Sequence, residues 1–197
     1  MRSRKPLHLA DLDPQRAADG LTQGVYDRAK RDIHRLGFVV SFPTPTTPDS
    51  KPPTVATVLG QSKIHKLARV CVDWAKLGKG KPEEVAAALR ELRADLDGVE
   101  PGEASGRERD LTTVAGLVVV AAEARLALAE GRTVEATEVA TLASLDERSI
   151  RATVKAGTLQ PVGAGRPMRF AADVVCQYLY TRGVPGFAAA PSRGGPP

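Results

Sequence analysis

Between Arg148 and Arg169 the sequence carries Arg148, Arg151, Lys155, Arg166 and Arg169, with no carboxylate among them. Five cations in 22 residues make a local positive field, and the chemistry such a field suits is the binding of a polyanion. Guanidinium groups add geometry to charge. Their forked donors match phosphate oxygens and the O6/N7 edge of guanine, whereas a lysine acts as a point charge. The same charges also read as a solvated basic face with no partner. The wider chain is only mildly basic, with 28 Lys+Arg against 23 Asp+Glu and an acidic stretch over residues 98–130.

Catalytic groupings are missing from the pattern. His8, His34 and His65 fall in separate segments, with no HExxH motif and no carboxylate at ligand spacing. Gly78-Lys79-Gly80-Lys81 is friendly to phosphate, but it is neither a GxxxxGK[ST] loop nor a GxGxxG turn after a strand. Glu83 and Glu84 suit the dipole of a helix start better than acid/base work. No GxSxG occurs. Cys71 and Cys176 are distant and lack a CxxC partner, which argues against a disulfide framework or a zinc ribbon. The expectation is a protein that is not an enzyme and uses no metal, no cofactor and no small-molecule ligand.

The basic residues need elements to hold them. Glu138 to Leu142 reads as a short helix with Val139, Ala140 and Leu142 inward, and Ala143-Ser144-Leu145 as a tight turn. Asp146 is an N-cap for a second helix, accepting from the N–H of Arg148 or Ser149. Leu145 and Ile150 occupy the two positions of a hydrophobic staple. Ile150 and Val154 then face the first helix, leaving Arg148, Ser149, Arg151, Ala152 and Lys155 on the sides and outer surface. Gly157 ends the helix. Gln160-Pro161-Val162 and Met168-Arg169-Phe170 read as a small hairpin with Arg166 at its tip and Arg169 beside it. A third helix follows, with Val174, Val175, Leu179 and Tyr178 as its packing face. Two short helices, a tight turn and a basic hairpin make a winged helix-turn-helix pattern.

Glu138-Val139-Ala140, Leu145-Asp146, Ile150-Arg151, Gly157-Thr158-Leu159, Arg169-Phe170 and Tyr178-Leu179 together resemble the MerR/excisionase-type winged helix-turn-helix, over residues ~133–182. The resemblance implies double-stranded DNA as the partner. The Asp146–Lys155 helix would enter the major groove and the Gly163–Arg169 wing would touch backbone or minor groove. Arg148 and Arg151 would read guanines, Ser149 and Lys155 would hold phosphates, Ala152 would lie on the same outer surface, and Arg166 and Arg169 would act from the wing. The chain departs from the family's pattern at Ser144, where glycine is usual. It departs again at Ala152 and Thr153, where larger side chains are common, and at Glu135, where a Thr or Ser usually caps the first helix.

Elsewhere, helical spacing of Val25, Ala29, Ile33 and Leu36 predicts a helix capped by Gly37, followed by a short strand at Phe38–Phe42. Five prolines between Pro43 and Thr54 predict an extended linker. Ile64, Leu67, Ala68, Cys71, Trp74 and Ala75 form the stripe of one helix, which makes Cys71 a core residue. Val85, Leu89, Leu92 and Leu96 form the stripe of another, opened by Pro82. Gly98–Arg107 is a candidate hinge. Val114–Ala122 is apolar at every position, so it belongs in a core or an oligomer interface.

The expected fold is mainly α, with helical N-terminal and middle regions and a C-terminal winged helix-turn-helix carrying a small β-hairpin. Its divisions are an N-terminal helix and strand (1–42), a Pro-rich linker (43–54), a helical region suited to homo-oligomerisation (55–130), the DNA-binding unit (131–187) and a disordered tail (188–197). No apolar run approaches the ~18–20 residues that span a bilayer, and no hydrophobic stretch follows the basic start Met1-Arg2-Ser3-Arg4-Lys5-Pro6. The expected setting is therefore the cytoplasm, on the nucleoid if the protein binds DNA. Two functional readings stand. One is a bacterial or phage DNA-binding protein, either a transcriptional regulator or an excisionase-like architectural factor. The other is an assembly or adaptor protein, such as a phage or DNA-packaging component or a partition or antitoxin-type factor, acting by self-association and docking.

Overall fold

Most of the helices begin where a side chain or a proline resolves the unpaired N–H groups of a first turn. The computed structural model of the protein describes residues 7–35, 62–97, 111, 113–163 and 165–188. After a single 3-10 turn at Leu9–Asp11, Asp13 Oδ1 accepts the Arg16 N–H at 2.8 Å and Pro14 opens α1 (Pro14–Arg35). Ser62 Oγ accepts the His65 N–H at 3.1 Å to start α2 (Lys63–Leu77), which ends at Gly78 in the left-handed region. Pro82 opens α3 (Pro82–Asp97), with Glu83 and Glu84 in its first turn. Thr113 Oγ1 accepts the Gly116 N–H at 3.0 Å and begins α4 (Val114–Ala129).

The apolar run that begins at Val114 settles in the core. From Leu117 to Leu128 most side chains of α4 are buried, including Leu117, Val118, Ala121, Ala122 and Ala124 at 1% exposure or less. α4 packs against α1, α2 and α3, and its backbone accepts the Trp74 indole N–H at the Ala122 carbonyl, 3.2 Å away. Of the two places its composition allowed, core and oligomer interface, the side chains of α4 occupy the first. Small residues permit this, because Ala121, Ala122 and Ala124 let neighbouring helices come close. Cys71, fully buried on α2, has its thiol pushed up to about 12 by burial, as suits a core residue. On α3, Val85, Leu89 and Leu92 are buried as the stripe requires.

Beyond α4 come β1 (Val134–Glu135), α5 (Ala136–Leu142), α6 (Glu147–Lys155), β2 (Arg169–Phe170) and α7 (Ala172–Thr181). α4 packs on α5 and α7 as well. The division expected at 130/131 therefore falls between α4 and β1, and the buried side chains on its two sides belong to one continuous core.

The expected hairpin pairs differently. Arg169–Phe170 lies antiparallel to Val134–Glu135, in the register Val134↔Phe170 and Glu135↔Arg169. The Gln160–Val162 segment forms no strand, and it keeps one ladder-like bond, from the Val162 N–H to the Arg169 carbonyl at 2.8 Å. Burial explains the exchange. Val134 and Phe170 are both fully enclosed, while Val162 is 54% exposed, and Pro161 has no N–H to give a ladder.

The structure is mainly helical, and no helix among the described residues is long and apolar enough to cross a membrane. The strand expected at Phe38–Phe42, the Gly37 cap, the linker 43–54, the hinge Gly98–Arg107 and the tail beyond 188 lie outside the described residues, as does the side chain of Leu96.

Candidate nucleic-acid interface

Glu135 precedes α5, and Glu138 reaches back so that its Oε2 accepts the Glu135 N–H at 2.6 Å. This acidic residue pair starts the helix where a Thr or Ser was the usual choice. Val139, Ala140 and Leu142 are buried, as the sequence predicts. The turn that follows places Ser144 at a φ of +53°, a conformation that disfavours any residue with a Cβ. Its neighbour Leu145 donates its N–H to the Ala140 carbonyl at 2.8 Å, closing the turn.

Asp146 then caps α6, its Oδ1 accepting the Ser149 N–H at 2.7 Å. The Ser149 backbone N–H, helped by the Ser149 hydroxyl and by the positive charge of Arg148, holds this carboxyl below the usual aspartate range. Ile150 is the fully buried residue of α6, and Val154 is half-buried one turn later. Arg148, Arg151, Ala152 and Lys155 fall at i, i+3, i+4 and i+7, so they share one stripe on the face away from Ile150. All four are exposed. Ser149 stands at the flank, half-buried, with its carbonyl accepting the Thr153 hydroxyl at 2.9 Å.

Two of the five cations of the acid-free run meet carboxylates from outside it. Arg151 donates through Nη2 and Nε to Glu147 Oε1, at 2.6 and 3.1 Å, and Arg169 lies 3.4 Å from Glu135 Oε1. Exposed pairs of this kind contribute only about 0.3–0.5 kcal/mol, so they hold the arginines without withdrawing them from a stronger anion. Arg148, Lys155 and Arg166 are exposed and take part in no ion pair among the described residues.

The seven candidate residues thus divide. Arg148, Arg151, Ala152 and Lys155 are brought together along α6, with Ser149 at their edge. Arg166 stands on the loop before β2. Arg169 lines an open groove of about 940 Å³ bounded by α3, the end of α4 and β1. Four arginines and four glutamates line that groove, with Arg93 2.8 Å from Glu123 and Arg132 2.5 Å from Glu130. Its charges balance, so the groove offers no net attraction to a polyanion.

Two polar residues outside the seven candidates shape the surroundings. Arg125 sits on α4 at 4% exposure, with no carboxylate partner among the described residues. Its Nε donates to the Ala75 carbonyl at 2.8 Å, its Nη2 to the Pro185 carbonyl at 2.6 Å, and the Phe187 ring lies 4.4 Å away. Burial pushes its pKa down to about 10, which leaves it cationic at neutral pH. Gly186 and Gly78 are needed here: a Cβ on Gly186 would lie 2.5 Å from the Leu77 carbonyl oxygen. The second residue is Ser144, whose hydroxyl oxygen accepts the Ala10 N–H at 2.8 Å. A lone arginine in an apolar helix and a serine in a turn were the only signals available for either. Compared with protein-family models, curated proteins and solved structures, the chain finds no match in any of the three.

Proposed function

We propose that residues 131–187 are a winged helix-turn-helix that binds double-stranded DNA, with α6 as the recognition helix. The observation that carries this reading is the stripe on α6. An exposed row of Arg148, Arg151, Ala152 and Lys155 lies opposite the buried Ile150, on a helix whose start is set by Asp146. Nine residues of α6 span about 13 Å, enough to lie in a major groove about 12 Å wide. Ala152 leaves room for close approach, so the arginines on either side reach base edges while Lys155 and Ser149 meet phosphates. Arg166 contacts the backbone from the wing. Arg169 joins it once its weak pair with Glu135 exchanges for phosphate. The protein then acts as a regulator or an architectural factor of a bacterial or phage genome.

A unit of this size covers only about 600–1,000 Å² of its own surface on DNA, so tight binding calls for two copies. Pairing through the helical region 55–130 belongs to the same proposal. It would use the outer faces of α2 and α3, since α4 is already enclosed within the chain.

Fluorescence anisotropy with labelled duplexes, one random and one from upstream of the protein's own gene, tests the reading across a range of salt. Affinity should fall steeply with salt, with a log–log slope of about 0.9 per phosphate contact. The Arg148→Ala/Arg151→Ala variant should lose any preference between the duplexes. Absence of binding to both duplexes at low salt would overturn the reading.

A further inference from the structure

The carboxylate of Glu147 is engaged from two sides. Its Oε1 accepts from Arg151 Nε at 3.1 Å and from Arg151 Nη2 at 2.6 Å. Its Oε2 accepts the Thr137 hydroxyl at 3.2 Å. Thr137 lies on α5, where its own carbonyl accepts the Thr141 hydroxyl at 2.8 Å. A chain of hydrogen bonds therefore runs from α5 through Glu147 to the middle of the α6 stripe. Arg148 is exposed on the same stripe and makes no ion pair among the described residues. The two arginines that would face bases thus differ, one braced against the scaffold and the other free to rotate.

The brace leaves the far end of Arg151 open. A guanidinium carries five N–H donors, one on Nε and two on each Nη. Glu147 takes the side edge, formed by Nε and Nη2. The end edge, with one N–H from each Nη, stays available, and such a parallel pair matches O6 and N7 of guanine. The Arg151 side chain is 68% exposed and that of Glu147 40%, so the arginine is the more accessible of the two. With its oxygens turned to Arg151 and Thr137, Glu147 acts on bases through Arg151 rather than by accepting from cytosine.

Two effects follow from this arrangement. An arginine held near its bonded geometry has fewer rotamers to lose on binding, which favours one base edge over any nearby acceptor. The carboxylate also repels phosphate, and so penalises the sequence-independent contact that a free arginine makes readily. Both effects sharpen discrimination more than they raise affinity.

We infer that Thr137 and Glu147 are positioning residues that fix Arg151 as a guanine reader and thereby set the sequence preference of α6. The inference rests on the DNA-binding reading. It goes beyond it by assigning selectivity to two residues that touch no base.

The test selects binding sites for the full chain from a duplex library with a randomised centre. The enriched duplex is then compared with a random one by anisotropy at several salt concentrations, with circular dichroism melts to show that each variant is folded. Thr137→Val removes the hydroxyl and no charge. It should lower the enriched-to-random affinity ratio by about three- to fivefold, with the salt slope on the random duplex unchanged. Thr137→Ser should restore the ratio. Glu147→Gln should lower it as well, by raising affinity for the random duplex more than for the enriched one. Placed at each guanine of the enriched duplex in turn, 7-deazaguanine lacks the N7 acceptor. At one position it should weaken the wild type about five- to tenfold, Thr137→Val by less, and Arg151→Ala not at all. If Arg151→Ala lowers the ratio while Thr137→Val and Glu147→Gln leave it unchanged, the positioning role is overturned and the DNA reading stands. If the wild type binds with a steep salt slope but enriches no sequence, the inference falls and an architectural role stands. If it binds no duplex, both fall together.

Discussion

The N–H of Ala10 donates to the hydroxyl oxygen of Ser144 at 2.8 Å across 134 positions of sequence, and Ser144 holds a φ of +53° while accepting it. Two opposing effects meet in this residue. The left-handed conformation costs a side-chain-bearing residue about 1–2 kcal/mol, and the hydrogen bond returns about 0.5–1.5 kcal/mol.

Substitutions at Ser144 separate those effects. Ser144→Ala keeps the strain and loses the bond, so it should lower stability by about 0.5–1 kcal/mol. Ser144→Gly loses the bond and relieves the strain, and should stand above the alanine variant by about 1 kcal/mol. Urea denaturation followed by the fluorescence of Trp74, the single tryptophan of the chain, measures both. Equal stability of the glycine and alanine variants would show that the turn is unstrained.

Glu147 restrains the stripe it adjoins. Its carboxylate accepts from Arg151 at 2.6 Å and from the Thr137 hydroxyl at 3.2 Å. Glu147→Gln removes the ion pair and one negative charge beside the stripe. Affinity for duplex DNA should rise several-fold at low salt and the gain should shrink as salt increases. An unchanged or lower affinity in the same titration would place Arg151 outside the contact surface.

Arg125 fastens the C-terminal segment to the end of α2. Ala75 and Lys76 are among the last residues of that helix, whose final carbonyls lack partners inside it, and the guanidinium supplies donors to both while also reaching Pro185. Arg125→Met preserves much of the volume and removes every donor. The expected loss is about 2–4 kcal/mol, from buried carbonyls left unpaired and a cation withdrawn from a helix C-terminus. Arg125→Lys should recover part of it. A methionine variant as stable as the wild type in denaturant would contradict this role.

Asp146 makes the start of α6 sensitive to acid. Its carboxyl is held below the ordinary value chiefly by the Ser149 N–H, so the folded form favours the ionised group. The stability this contributes is fully present above the ordinary aspartate pKa of about 3.9 and is lost as the pH falls through the lower folded value. Asp146→Asn keeps a capping acceptor without the titration. Thermal melts should show the wild type converging on the asparagine variant below about pH 4, with Asp146→Ala below both at neutral pH. A difference between wild type and asparagine that does not change with pH would remove the carboxylate from the account.

Much of the molecule was legible locally because caps, turns and stripes act over a few residues. Asp146 before Ser149, Pro82 before two glutamates, Gly157 after Lys155 and the apolar rows of α2 and α3 each depend on neighbours within a turn or two. The α6 stripe was legible for the same reason, since its spacing fixes which side chains share a face. Long-range choices were not. The sequence offered Gln160–Val162 as the partner of Arg169–Phe170, and joint burial of Val134 with Phe170 put Val134–Glu135 there instead. The apolar α4 suited a core or an interface equally, and only the packing of α1, α2, α3, α5 and α7 around it assigned it to the core. The run from Arg148 to Arg169 contains no acid along the chain. Folding nevertheless sets Glu147 against Arg151 and Glu135 against Arg169, because electrostatic partners are chosen by distance in space. Ser144 and Ala10 show the same division. The sequence determined that a residue with a Cβ would stand in the turn, and only the tertiary structure decided which distant N–H its hydroxyl would hold.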